Sequence, residues 1–358
     1  MSREQIIQEL TPAVSRNALI SDARYWGYYS MCGVLLRLRE QYRFEMQIPL
    51  WAPLEERGVA DWIGQREALW QEAGSADFVP LTLAGKAFDP FDVEGINARV
   101  RNVSLVYGAG YGLHMKPVFF LAELTESRSE NGLSVHICGR EYARDMSMNP
   151  AMVQEQVIYA RRSVMENLLW GKFEECRAGK KPGLLEHAFR AYGVEKVMEP
   201  AVLEAIAADE IKAIIRHEHG EAAESERLGT AWVEMLGQAG HPRAGLILRS
   251  LKDILADTCD EGMLRYIIEG RLRGPLAFFL SFLEGYRRGL ASGIRHAVAD
   301  FGDEFSWEAV NRARLKTWKM ADECASRLLA AWSESGQERF QSELERAIQL
   351  AEGARHSA

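Results

Sequence analysis

The 358-residue sequence has few cysteines and no CxxC pair: Cys32, Cys138, Cys176, Cys259 and Cys324 are odd in number and stand far apart. Such spacing offers neither a disulfide framework nor a cysteine-bound zinc, and it fits reduced thiols in a cytoplasmic protein. Long hydrophobic runs are missing too. The most apolar stretch, Pro275 to Leu283, has about nine residues against the roughly 20 needed to cross a bilayer, so it predicts a buried helix and no membrane span. The opening MSREQIIQEL carries Arg3, Glu4 and Glu9 where a secretory signal would have its apolar core, and no export is implied. There is no surplus of positive charge: 43 Lys and Arg against 51 Asp and Glu give a formal net charge of −8. That balance argues against nucleic acid held by phosphate neutralisation. The sequence also shows no Walker motif, no nucleophile elbow and no locally readable Ser-His-Asp arrangement.

What is present is an ordinary globular composition, 47% hydrophobic and 26% charged, at a length that suggests two domains. Pro12 is expected to end a short first helix. Ser21 or Asp22 then caps a long one to about Phe44, with Tyr28, Met31, Leu35, Leu38 and Tyr42 as its apolar stripe. Val59, Trp62, Ile63, Leu69 and Trp70 repeat the helical spacing, and the two tryptophans read as core anchors. The pattern changes near Asp77 to short β-rich runs, Val79 to Leu83, Val103 to Tyr107, Val118 to Leu124 and Leu133 to Cys138. Asn131-Gly132 joins the last two as an antiparallel hairpin, because both residues accept positive φ. Asp89-Pro90-Phe91-Asp92 reads as a turn capping a short helix through about Val100.

From Asn149-Pro150, an N-cap with proline in the first helical turn, the remainder reads as helix. The segments are 150–177, 184–193, 200 to about 216 or 221, 224–238, 242–257, 261–270, 274–299, 306–334 and 337–352. Lys180-Lys181-Pro182-Gly183 and Gly240-His241-Pro242 are the clearest punctuation. The expected fold is therefore mainly α: an N-terminal α+β domain over residues 1–148 with a short antiparallel sheet, and an all-helical bundle over residues 149–358.

Three motifs bear on chemistry. Tyr107-Gly108-Ala109-Gly110-Tyr111-Gly112 leads into another strand rather than opening a helix, so it reads as a turn or bulge and not a phosphate loop. Gly285, Gly289 and Gly293 are spaced by four with His296 on the same face, which predicts close approach of another helix or of a flat ligand.

The third motif, Ile211 to Glu221 (IKAIIRHEHGE), holds the best chemical candidates. On a helix at about 100° per residue, Leu203, Ile206, Ile211 and Ile214 fall within an arc of about 140°. Glu210, His217, Glu218 and Glu221 fall in the same arc if the helix continues through Gly220, whereas His219 points away. Buried together, these charges need a metal, cationic partners or a wet cleft. His217-Glu218-His219-Gly220-Glu221 resembles the HExxH helix of zinc-dependent peptidases, with Glu221 where the second histidine belongs. The resemblance implies zinc or another divalent metal on His217 and Glu221 with Glu218 as general base. Glu210, in the same arc, is a further candidate metal ligand, and Glu269, Glu284 and His296, in later helices of the bundle, are the candidate donors from another helix. A di-metal carboxylate site would need glutamate where Ile214 stands. The other reading ends the helix near Arg216, since Arg216 to Arg227 contains no large apolar side chain, and leaves every carboxylate solvated. Two functions follow: a non-enzymatic helical scaffold binding a protein partner, and, as the alternative, a metal-dependent hydrolase.

Overall fold

Asn131 and Gly132 have φ of 49° and 80°, and this tight turn reverses the chain between β4 (Pro117–Glu130) and β5 (Leu133–Arg144). The two strands pair antiparallel from Glu130↔Leu133 to Phe120↔Arg144, with bulges between Leu121 and Glu126. The computed structural model describes residues 1–179, 183–238, 241–298, 301–302, 305–333 and 337–353. The Lys180-Lys181-Pro182 and Gly240 punctuation lies outside them. The chain divides into two units, Met1–Gly171 and Lys172–Ala358.

In the first unit β3 (Leu105–Tyr111), β4, β5, β7 (Val157–Arg161) and β6 (Ala151–Gln154) form one curled sheet in the order β3-β4-β5-β7-β6. Neighbours run antiparallel except β5 and β7, which are parallel. Side-chain alternation gives the sheet two apolar faces. Leu105, Tyr107, Ala109, Phe119 and Leu121 share one core with Leu10 and Val14 of α1 (Arg3–Tyr25) and Ile96 and Val100 of α4 (Val93–Val100). Val106, Val118, Phe120, Ala122, Cys138, Met152 and Tyr159 form the other. Because the sheet curls into a half-barrel, its two edge strands approach: the Gln154 amide donates to the Tyr111 carbonyl (3.1 Å) and accepts from the Tyr111 amide (3.2 Å). Of the glycines expected in a turn or bulge, Gly108 and Gly110 therefore lie in β3, while Gly112 stands in the β3–β4 turn, its amide donating to the Lys116 carbonyl at 2.8 Å. A Cβ on Gly108 would sit 2.1 Å from the Phe120 ring and one on Gly110 2.0 Å from Gln154, so both make room for residues of the curled sheet.

Three helical expectations are corrected here. The helix does not end at Pro12: α1 continues to Tyr25 because Leu10 and Val14, on either side of the proline, are both fully buried. Nor is there one helix to Phe44. The chain breaks at a 3-10 turn over Trp26–Tyr28, and α2 runs Met31–Glu45 from a Ser30 cap. It buries Val34 and Leu38 while Met31 and Leu35 of the expected stripe stay exposed. Residues 151–161 are strands, not helix, and α5 begins at Arg162. Their turn uses Glu155 at φ 53°, without the glycine that marks the β4–β5 hairpin. α3 (Glu56–Ala73) and the small hairpin of β1 (Leu81–Leu83) and β2 (Lys86–Phe88) complete this unit.

Among its described residues the second unit is helical. α6 (Leu184–Arg190) precedes α7 (Pro200–Gln238), which continues well past Arg216 and is interrupted at Gly229 (φ 70°, ψ −172°). α8 (Pro242–Thr258), α9 (Met263–Glu269), α10 (Arg273–Phe282), α11 (Gly285–Leu290), α12 (Ser292–Val298), α13 (Trp307–Ser333) and α14 (Gln337–Gly353) follow. Leu228, Trp232 and Met235 bind the end of α7 to Leu248, Leu251 and Leu255 of α8 in the main core. The predicted helix over 274–299 is three short helices, so Gly285, Gly289 and Gly293 do not form one stripe. Gly289 does meet another helix: a Cβ there would lie 1.8 Å from the Ala351 carbonyl oxygen. Gly293 faces open space.

Candidate functional site

The helix α7 carries His217, Glu218 and Glu221 toward α8 because Gly220 lets the two backbones approach: a Cβ on Gly220 would stand 2.2 Å from the Ala256 carbonyl oxygen. Close approach puts His217 Nδ1 2.7 Å from Asp257 Oδ1. The second Asp257 oxygen accepts from Arg287 of α11 at 2.8 Å, and Arg287 Nε lies 3.7 Å from Asp253. Glu221 accepts from Lys252 at 2.5 Å. Asp257 is fully buried and the His217 side chain is 15% exposed.

Electrostatics fix the protonation states. Burial by itself would lower the His217 pKa, but the charge and hydrogen bond of Asp257, aided by Glu218 and Glu221, raise it to about 10. Burial opposes the Asp257 carboxylate, yet Arg287 and then His217 hold it below the usual range. Asp253 is pushed up to about 6 by burial against the pull of Arg287 and His217. His217 is thus an imidazolium in a paired network near neutral pH, a poor metal ligand or general base in that state, because both roles need the neutral ring.

The predicted residues therefore separate. His217 and Glu221 each bind an ionic partner on α8, while Glu218 and His219 are buried. His219 was expected to point away, but α7 is covered over a wider arc than its large apolar residues mark. Glu210 lies elsewhere, buried, with no hydrogen bond to Oε1 among the described residues, and burial followed by Asp209 raises its pKa to about 8. Glu269 is engaged by Arg265 at 2.7 Å. Among the described residues no group of three or more His, Cys, Asp or Glu side chains is placed to hold a metal. The exposed-turn reading fails. Leu228, Trp232 and Met235 extend the buried face beyond the polar stretch, and Asp257, Arg287 and Lys252 compensate its charges.

A second polar cluster, invisible in local sequence, lies in the first unit. Lys116 Nζ is 3.0 Å from both Asp22 Oδ1 and Asp145 Oδ1, with all three side chains at most 4% exposed. Asp22 also accepts from the Met146 amide, and Ser21 donates to the Pro117 carbonyl, so the pair pins α1 to the ends of β4 and β5. Burial, against Lys116, pushes the Asp22 pKa up to about 6. Beside it, fully buried Glu141 accepts from Arg161 at 2.6 Å and lies 3.5 Å from Arg144, which reaches the Glu40 carbonyl of α2. Asp22 and the Met146 amide that it accepts from stand 124 residues apart, and such separation explains why no spacing rule signals these clusters.

The fold and these sites define a two-part protein, a half-barrel α+β unit followed by a helical unit, with buried ionic networks in each. Residues 9–161 match the family of unknown function DUF6866 N-terminal domain, and residues 166–351 match its C-terminal domain. The chain belongs to the DUF6866 family. Comparison with curated proteins and with solved structures gives no significant match. No helix among the described residues is long and apolar enough to cross a membrane.

Proposed function

We propose that this protein acts by binding another protein rather than by catalysis, and that the docking surface is the start of α2. The observation that carries this reading is the exposure of Tyr28 (60%), Met31 (67%), Leu35 (47%) and Leu36 (59%) in consecutive turns. Positions 31, 35 and 36 share one helical face, and neighbouring large apolar side chains left in water commonly mark an interaction site. Trp26 (43%) and Met115 (65%) are exposed as well, and Tyr28 stacks on His114 at 4.7 Å, which fixes the edge of this surface. Large exposed apolar residues of the helical unit, such as Val233, Leu246 and Leu315, sit singly on separate helices. The surface spans two helical turns, which suits one apolar helix of a partner.

Cys32 is exposed on the same turn and provides the test. A benzophenone attached to Cys32 is expected to give a discrete heterotypic cross-link in cell extract. The same group on V233C, in a C32S background, should not. The reading predicts loss of the Cys32 product when Met31→Asp and Leu35→Asp are added to a folded chain. Equal products from positions 32 and 233, or a Cys32 product indifferent to those substitutions, would defeat it.

A further inference from the structure

The guanidinium of Arg161 is fully buried, yet among the described residues only Nε has an acceptor, the Glu141 carboxylate at 2.6 Å. Among the described residues Nη1 and Nη2 have no hydrogen-bond partner. Five N–H donors in a fixed plane make an arginine expensive to bury half-satisfied, and its terminal edge matches the two oxygens of a carboxylate. A second buried side chain on the same sheet face repeats the pattern. His136 pairs with Tyr159 across the parallel β5–β7 ladder, Cys138 pairs with Arg161, and strand alternation puts all four on one face. His136 is 2% exposed and, among the described residues, neither ring nitrogen makes a hydrogen bond of normal geometry. Burial, with Arg101 adding to it and the Val135 backbone opposing, lowers its pKa, so the ring is neutral near pH 7 and offers one donor and one acceptor. Apolar walls complete the set: Phe120 lies under the guanidinium at 4.7 Å, and the Tyr159 ring is 5.6 Å from Phe120 and 5.7 Å from His136.

We infer that the inner face of the half-barrel is a binding site for a small carboxylic acid, whose carboxylate meets Nη1 and Nη2 of Arg161 and whose second polar group meets His136. Apolar walls with a few fixed polar groups are the usual make-up of small-ligand sites. Both terminal nitrogens are shut off from solvent. The Gln154–Tyr111 hydrogen bonds joining the two edge strands are exposed, and parting them opens the curl to a ligand. The site is independent of the α2 surface, because none of its residues belongs to that helix.

The test titrates the full-length protein with 4-hydroxybenzoate, with inorganic phosphate and chloride as comparisons. The expected result is saturable binding of one molecule per chain, a shift of the Arg161 side-chain nitrogen resonances, and an affinity at least about tenfold weaker in R161K. H136F reads the same loss and serves if R161K does not fold. Absence of saturable binding by the wild type up to about 10 mM, or binding that R161K and H136F both retain, overturns the inference and leaves Arg161 a structural group. Binding of phosphate and chloride as tight as that of 4-hydroxybenzoate overturns the carboxylate assignment.

Discussion

Replacing Gly220 by alanine adds one methyl group at the point where α7 crosses α8. The new Cβ would stand 2.2 Å from the Ala256 carbonyl oxygen, 2.8 Å from its carbon and 3.0 Å from its Cα. Backbone atoms cannot rotate away as a side chain can, so the helices must separate by about 1 Å to restore ordinary contact. Asp257 follows Ala256 directly, and its 2.7 Å contact with His217 lengthens beyond hydrogen-bonding range. Overpacking of this kind typically removes about 1–3 kcal/mol, and an uncompensated buried Asp257 adds to the loss. Against this stands a gain of about 1 kcal/mol from alanine in a helix interior. The net expectation is a loss of about 2 kcal/mol, or a melting temperature lower by roughly 4–8 °C for a unit of this size. Urea titration of wild type and G220A, with the His217 resonance followed against pH, measures both consequences. A G220A protein more stable by about 1 kcal/mol, with an unchanged His217 titration, would refute the close-crossing argument.

Three further expectations follow from the same reasoning. The folded pKa of His217, about 10, lies above that of the unfolded chain, so its stabilisation is complete below about pH 6.5 and lost as pH rises toward 10; H217Q should flatten that part of the stability profile in pH-dependent denaturation. Glu210, raised to about 8, stays protonated in the fold while the unfolded chain ionises, so it removes stability between about pH 4.5 and 8; E210Q should be more stable by about 1–3 kcal/mol at pH 8 and unchanged at pH 4, and equal stability at both would count against it. Leucine at Gly289 places its Cβ 1.8 Å from the Ala351 carbonyl, and a loss of about 1–3 kcal/mol or more is expected in chemical denaturation, where wild-type stability would contradict the α11–α14 contact.

The parts of this fold that sequence reveals are those governed by short-range chemistry. Asn131-Gly132 announces the β4–β5 hairpin because two adjacent residues must take positive φ. Asp92 likewise caps α4 by accepting from the Gly95 amide at 2.9 Å. Residues 151–161 are hidden because Asn149-Pro150 imitates a helix start and their turn at Glu155 lacks a glycine. The stripe of α2 misleads for another reason: Tyr28, Met31 and Leu35 have helical spacing, but the neighbouring Val34–Leu38 face is the one that packs. At the candidate site, spacing selects the ionic residues of α7 while leaving out Asp257 and Lys252, which pair with them from 40 and 31 positions away, and Arg287, which reaches Asp257 from 30 positions further on. Lys116, Asp145 and Arg161 stand even further from any local motif, since only the curled sheet assembles them.

The partner identified through Cys32 permits the most direct measurement. Its purified form should bind the wild-type chain and V233D alike, and bind the folded M31D/L35D double variant about 100-fold more weakly, as expected for two apolar anchors each giving over 1 kcal/mol. Equal affinity for wild type and M31D/L35D would contradict the assignment of function to the exposed face of α2.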